Sequence, residues 1–482
     1  MGENEPHIAI VGAGAAAVGL LDALAARGAG PGEITVFEPS PRLWRGRPYG
    51  PDLDSVLVNA PPAIMSIRNG DFGHYASWLG AERAAAHLDG LLGRPLVPRA
   101  LYGDYLADTA EAAVAALRGR GWRVRVVPAR VVAVTRAGGS GPVLRTEDGH
   151  DHRAGHVVLC VGGGTPRDHY GLDGAPGFVR DPYPLADTLG QVRAGDAVAV
   201  IGSGLTAVDV VVSLAARGHA GPIALASRSG MLPHVWQRPL GHRPVHVTAE
   251  RVEALHRANG TVTLDDLVAL LRAEVEEAGE DFADFAAELT AAPHEEPVRR
   301  LRRQLAAVDD PRIGRRVLQE AAHTVGPHAW RLLPEPDRDR LRRHFRLATS
   351  VASPMVPVNA AILLRLFDSG QLTVAAGVRK IEAVDGRFRL RGDGGDLGAD
   401  VVVNAVNPPP QAVPWAAEPL VGSLLAGGLA ALHPSGGLVP ADPRLHVVGD
   451  LAGGGPFITS SIPGVAGRAA RAVHGLLATH AG

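Results

Sequence analysis

A glycine-rich turn between a short apolar strand and a helix occurs twice in this chain, 190 residues apart. In the first copy His7-Ile-Ala-Ile-Val11 leads into Gly12-Ala-Gly14-Ala-Ala-Ala17, and Val18 to Arg27 reads as a helix. Ile34-Thr-Val-Phe37 is then a second strand ending at Glu38. In the second copy Ala197-Val-Ala-Val-Ile201 leads into Gly202-Ser-Gly204-Leu-Thr-Ala207, with Val208 to Arg217 as the helix. Ile223-Ala-Leu-Ala226 follows and runs into Ser227-Arg228-Ser229. This is the β-α-β pattern of dinucleotide binding. The first glycine makes the turn and the second lets backbone approach a pyrophosphate. Ala17 and Ala207 let the helix pack closely on the strand, and the helix N-terminus offers free N–H groups to the phosphate charge. One such turn also fits a glycine-rich turn of some other α/β fold; two in the same frame favour a pair of Rossmann-like domains.

The residue that reads the ribose differs between the copies. Glu38 lies 24 residues after Gly14, and Arg228 lies 24 residues after Gly204. A carboxylate accepts from ribose hydroxyls and repels a 2′-phosphate, whereas a guanidinium pairs with that phosphate. The first site therefore suits an unphosphorylated adenosine ribose and the second suits NADPH.

Further stretches extend this picture. His156-Val-Val-Leu-Cys160-Val161 is an apolar strand running into three glycines, and Arg444-Leu-His-Val-Val-Gly449-Asp450 is a strand ending in Gly-Asp. Asp450 sits shortly before the helical stretch from Val465 to Thr479. It either holds a ribityl hydroxyl beside the pyrophosphate or is a turn aspartate that caps a helix. Between about Thr248 and Leu347 the periodicity becomes helical. A basic run there (Arg299, Arg300, Arg302, Arg303, Arg312, Arg315, Arg316) reads as a solvated helix face, with a docking surface for an acidic partner as the alternative.

Composition removes several classes of function. Lys380 is the only lysine among 48 basic residues and stands in Arg-Lys-Ile, so a Walker phosphate loop is excluded. Cys160 is the only cysteine, so the chain forms no internal disulfide, thiol pair or cysteine-cluster zinc site, and Cys160 itself reads as a small core residue. A net charge of −2 gives no argument for nucleic acid or an anionic membrane. No apolar run approaches the ~18 residues of a membrane helix, and a cytoplasmic location is expected. His242 and His246 flank Pro244 and read as a loop pair rather than metal ligands, so no metal is expected. Ser460 and Ser461 lack the frame of a catalytic nucleophile and read as hydroxyls near a cofactor.

Several motifs together carry a family resemblance. They are Gly12-x-Gly14, Gly46-Arg47-Pro48-Tyr49-Gly50, Val58-Asn59-Ala60-Pro61, Met65-Ser66 and Phe72-x-x-Tyr75-x-x-Trp78-Leu79. Tyr102-Gly103-x-Tyr105-Leu106, Gly202-Ser-Gly204-Leu-Thr-Ala-Val-Asp209, Ser227-Arg228-Ser229-Gly230 and Gly449-Asp450 complete the set. Over about residues 6–235 and 350–475 the chain resembles FAD/NAD(P)-binding flavoproteins related to amino-acid N-hydroxylases and other single-component flavin monooxygenases. It lacks the Phe-x-Gly-x-x-x-His-x-x-x-Trp stretch of Baeyer–Villiger enzymes. Cys160-Val-Gly162 and Asn404-Ala-Val-Asn407 stand where the family has Ala-Thr-Gly linkers.

The resemblance implies an FAD domain split by an NADPH domain, with a helical insertion. The expected boundaries are 1–170 and 349–482 for the two parts of the FAD domain, 171–240 for the NADPH domain and 241–348 for the insertion. FAD would be held by Gly12, Gly14, Ala17, Glu38, Asp450 and Ser461, and NADPH by Gly202, Gly204, Ala207, Ser227 and Arg228. NADPH would reduce the flavin, dioxygen would add to give a flavin C4a-hydroperoxide, and that species would N-hydroxylate an amine of a small, amino-acid-like metabolite. Two alternatives stay open: an NADPH-dependent reductase passing electrons to another acceptor, and an idle dinucleotide-binding regulator. Asn59 follows the apolar Val56-Leu-Val58. In related monooxygenases an asparagine so placed faces the flavin, where its amide could serve the peroxide; otherwise it forms a turn before Pro61 and Pro62.

Overall fold

The computed structural model describes residues 5–28, 30–136, 141–409, 411–454 and 461–478. Among them are two five-stranded sheets whose neighbouring strands all run parallel. In the first sheet the order is Leu445–Val447, His156–Leu159, His7–Val11, Glu33–Phe37, Arg123–Val127. In the second it is Phe178–Val179, Val401–Asn404, Val198–Ile201, Ile223–Ser227, Leu372–Ala376. Each fingerprint strand is central, with its β-α-β partner on one side and a later strand on the other. Register is tight: Ile10 faces Val36 and Val158, and Val200 faces Leu225 and Val403.

The continuous apolar character of these strands has a direct cause, because both faces of each sheet are covered. Ile8 and Ile10 point into a core built with the helices Ala15–Arg27, Arg99–Gly119 and Ile462–Ala478, while Ala9 and Val11 pack on the other side against Val134, Leu144 and Leu424. The second sheet repeats this. Val198 and Val200 face one core, and Ala199 and Ile201 meet Ile381, Phe388 and Leu390. In both units the second layer is a three-stranded antiparallel meander, Val131 to Arg153 in the first and Lys380 to Ala399 in the second. The duplication legible in the two turns thus extends to whole domains.

The expected boundary at residue 349 is displaced. Leu372–Ala376 pairs with Ile223–Ser227, and Val401–Asn404 pairs with Val198–Ile201, so these strands belong to the second sheet. The chain returns to the first unit only after Asn404. A short strand buried on both faces carries no periodicity that assigns it to a sheet; only its register does. The helices between Ala249 and Ala352 are accordingly an insertion in the second unit's crossover.

The insertion also corrects the reading of its arginines. Arg300, Arg315 and Arg316 are buried rather than solvated. Arg300 donates to Leu232 O at 2.6 Å, and Arg316 donates to Arg238 O at 2.7 Å and to Arg312 O at 2.6 Å. Their guanidinium groups thus bond to backbone carbonyls rather than to water. No helix among the described residues is long and apolar enough to cross a membrane.

Candidate functional site

The first cradle forms at the C-terminal ends of three adjacent parallel strands, where open α/β sheets bind ligands. Gly12 has φ +98°, and a Cβ there would stand 2.7 Å from Cys160 O. Only glycine lets the fingerprint turn lie against the end of the neighbouring strand. Gly14 begins the helix Ala15–Arg27 without any side-chain cap, which leaves first-turn N–H groups for an anion. Ala17 is fully buried. Glu38 accepts from Ala13 N and Ser40 N, both at 2.9 Å, so its carboxylate is pinned to the lip of the glycine turn before any ligand arrives.

The late Gly-Asp turn closes this cradle. A Cβ on Gly449 would lie 3.6 Å from Ala16 Cβ, and a Cβ on Gly163 would lie 3.4 Å from Asp450 Oδ2. Arg468, on the closing helix, donates to Gly449 O at 3.1 Å. Ser461 is 7% exposed, and its hydroxyl has no hydrogen-bond partner among the described residues. Ser460 lies outside the described residues. An uncapped helix start, a turn free of side chains, a fixed ribose acceptor and an unpartnered buried hydroxyl fit the pyrophosphate and sugar of FAD. When bound, FAD supplies a redox centre that takes a hydride.

The second cradle repeats the first with other chemistry. Gly202 has φ +110°, and its Cβ would stand 3.3 Å from Ala405 O, the counterpart of the Gly12–Cys160 approach. Gly204 begins the helix Leu205–Ala216, also without a side-chain cap, and Ala207 is fully buried. Ser227 Oγ takes the amide of Gly230 at 2.8 Å and lies 3.3 Å from Ser203 Oγ, so its hydroxyl shapes the loop. Arg228 is exposed and makes no ion pair among the described residues. Glu38 is held by its own turn, whereas Arg228 is exposed and unpaired among the described residues.

Between the cradles lie contacts that sequence reasoning missed. Arg99 Nη2 lies 2.6 Å from Asp209 Oδ2, with side-chain exposures of 10% and 0%. The Tyr183 hydroxyl accepts from Arg99 at 2.9 Å and donates to Asp209. Asp52 accepts from Leu185 N and Ala186 N, and Arg47 Nε donates to Asp181 at 2.9 Å. One signal was available: Asp209 stands in the apolar run Val208 to Val212, and a carboxylate so placed needs a partner.

Asn59 joins the two units through its backbone. Trp236 Nε1 donates to Asn59 O at 2.7 Å, while Asn59 Oδ1 is buried without a hydrogen-bond partner among the described residues. His242 and His246 pair with carboxylates far away in sequence: His242 Nε2 is 2.8 Å from Glu274 Oε1, and His246 meets Glu277. The amides of Val245, His246 and Val247 also converge on Glu274, which clamps the loop. Cys160 is buried, and burial pushes its thiol up.

A family model described as FAD-NAD(P)-binding matches residues 9–164, the segment that builds most of the first cradle. Among solved structures, the FAD-bound cadaverine monooxygenase of desferrioxamine biosynthesis from Erwinia amylovora aligns with a TM-score of 0.60 at 12% identity. It covers 98% of this chain and 95% of that one. The ornithine N-hydroxylase of Kutzneria sp. 744, with reduced FAD, NADP+ and L-ornithine, aligns at 0.54 and 15% identity over 98% and 99% of the chains. The ornithine hydroxylase of Pseudomonas aeruginosa aligns at 0.54 and 14% identity over 98% and 100%. No curated protein matches the sequence. Residues 9–164 thus carry an FAD/NAD(P)-binding domain, and the whole chain has the fold of flavoproteins with two dinucleotide-binding domains.

Proposed function

We propose that this chain is an NADPH-dependent flavin monooxygenase that N-hydroxylates the amine of a small polar metabolite. The carrying observation is one chain with two cradles of the same build and opposite ribose readers, Glu38 and Arg228. One suits FAD and the other NADPH, so reduction and oxygenation need no protein partner. In the reaction R–NH2, O2, NADPH and a proton give R–NHOH, NADP+ and water. One oxygen atom enters the N–OH group and the other leaves as water; NADPH supplies the electron pair. Gly12, Gly14, Ala17, Glu38, Asp450 and Ser461 hold FAD in this reading. Gly202, Gly204, Ala207 and Arg228 hold NADPH, and Ser227 keeps the Arg228 loop in shape. Asn59, with an unpartnered amide oxygen near the junction of the units, serves the oxygen-transfer step. The overall similarity to amine-hydroxylating flavoproteins supports the choice of amine.

The test is stoichiometry. Purified protein loaded with FAD is given NADPH and air with a panel of amines, and NADPH, oxygen and hydroxylamine are counted. One-to-one-to-one use with at least one amine is expected. Rapid reduction of quinones or of an iron–sulfur protein, with no amine coupling oxygen use to product, would replace this reading with a reductase.

A further inference from the structure

The closing helix Ile462–Ala478 borders a cavity of about 580 Å³. Its other walls are the loop at 66–72, the insertion helices Gly314–Thr324 and Gly326–Leu332, and the edge strand Leu445–Val447. That size is in the range of about 300–1,000 Å³ typical of small-molecule sites. Four arginines line it (Arg68, Arg331, Arg468 and Arg471), and no aspartate or glutamate among the described residues does. Arg68 is neutralised by Asp22 at 2.8 Å. Arg468 is held by Gly449 O and feels the charge of Asp450. Arg331 and Arg471 make no ion pair among the described residues.

The remaining geometry keeps these two cations available. Arg331 Nη2 lies 2.8 Å from His328 Nδ1. A guanidinium only donates, so that nitrogen is the acceptor. The other ring nitrogen, Nε2, lies 3.1 Å from Glu253 Oε2, which is outside the cavity lining. Loss of water around Arg471, and then repulsion from Arg331 and Arg468, draws its ionisation down to about 10. His446 adds to the lining a buried Nε2 with no hydrogen-bond partner among the described residues.

We propose that this cavity is a binding site for a small dianion, a dicarboxylate or a phosphate, with Arg331 and Arg471 supplying the forks that grip it. A guanidinium presents parallel N–H groups matched to carboxylate or phosphate oxygens. Like charges gathered without a counter-charge are relieved when an anion enters. The cavity adjoins the first cradle through Arg468, which also holds Gly449 O, and the proposal does not depend on the reaction proposed above.

Calorimetric titration of the full chain loaded with FAD tests it, using succinate, inorganic phosphate and, as a dication control, magnesium chloride. One dianion is expected to bind at one site per chain and magnesium is not; the tighter of succinate and phosphate identifies the ligand's source. Arg331→Gln and Arg471→Gln should each weaken binding by about 10- to 150-fold, the loss of a charge-assisted hydrogen bond. FAD content and unfolding midpoint should stay unchanged, and Arg471→Lys should restore part of the affinity. The same arginine-dependent binding in a chain that takes up no FAD would support this site while removing the flavin reading. The proposal is overturned if neither dianion binds, if both Gln variants bind like the native chain, or if FAD displaces the anion.

Discussion

Arg99 and Asp209 form a buried ion pair, 2.6 Å between Nη2 and Oδ2, that ties the helix Arg99–Gly119 of the first unit to the fingerprint helix of the second. Burial works against the Arg99 cation, and Asp209, with Tyr183, more than offsets it, so Arg99 sits above its ordinary range. The two cradles are therefore joined at the root of the helix that presents the second one. Arg99→Met should cost about 3–5 kcal/mol, because it leaves the buried Asp209 carboxyl with the Tyr183 hydroxyl as its remaining side-chain partner. Arg99→Met combined with Asp209→Leu should recover much of that loss. Urea unfolding of the four species measures both. A single-variant loss below about 1 kcal/mol, the range of an exposed pair, would show that water reaches this contact.

A pH dependence follows from His234. Its ring is 2% exposed, with Nδ1 2.8 Å from Ser350 Oγ. Burial first, and then the charges of Arg300, Arg315 and Arg303, hold it well below the usual histidine range. The unfolded chain takes up this proton first, near about pH 6.5. Stability from this residue is therefore complete above that pH and is lost as pH falls from there toward the folded value. One proton is worth about 1.4 kcal/mol per pH unit. In His234→Gln the decline of unfolding free energy below about pH 6.5 should be shallower by that amount. An unchanged slope would mean that the ring is already protonated in the folded protein.

The glycines of the first turn should separate folding from binding. At Gly12 an added Cβ meets backbone at 2.7 Å on a φ of +98°, whereas at Gly14 it meets Gly46 Cα at 3.5 Å and Gly46 N at 3.9 Å, ordinary contacts. Gly12→Ala should lower stability by about 1–3 kcal/mol. Gly14→Ala should leave the unfolding midpoint of FAD-free protein unchanged while reducing bound flavin colour. Equal effects of the two on FAD-free stability would remove the distinction.

What the sequence made legible follows from how each feature is built. The cradles could be read because a strand, a turn and a helix adjacent in sequence make them, and because glycine marks backbone that no other residue tolerates. The displaced domain boundary could not, since Val401–Asn404 shows its sheet only by lying beside Val198–Ile201. The arginine run misled for a related reason. Arg300 and Arg316 look like solvated charge in sequence, and their carbonyl partners, Leu232 and Arg238, lie 68 and 78 residues away. The arginine cavity was equally invisible, because it joins loop 66–72, the insertion and the closing helix.

Cofactor choice should rest on Arg228. It is exposed and unpaired among the described residues, whereas the matching Glu38 is already bound to its own turn. Removing one charge-assisted contact costs about 1.5–3 kcal/mol, or about 10- to 150-fold in affinity. Arg228→Ala should reduce the preference for NADPH over NADH by that factor in flavin-reduction rates at limiting nucleotide, with the NADH rate little changed. If the ratio does not move, another residue reads the 2′-phosphate.

Asn59 offers the sharpest test of the chemistry, because its two polar ends can be separated. The backbone carbonyl is taken by Trp236 at 2.7 Å, and that bond survives any side-chain change. The amide oxygen is buried and has no hydrogen-bond partner among the described residues. Asn59→Ala should therefore keep the local backbone and remove only the amide. If the amide serves oxygen transfer, reduction by NADPH should stay near the native rate while electrons leak to hydrogen peroxide at the expense of hydroxylated product. A neutral hydrogen bond of about 0.5–1.5 kcal/mol shifts that partition by about 2- to 13-fold. Counting peroxide and product per NADPH in native and variant protein gives the ratio directly. An unchanged ratio with native reduction would return Asn59 to the turn before Pro61 and Pro62, and the group that protects the transferred oxygen would have to be sought elsewhere along the junction.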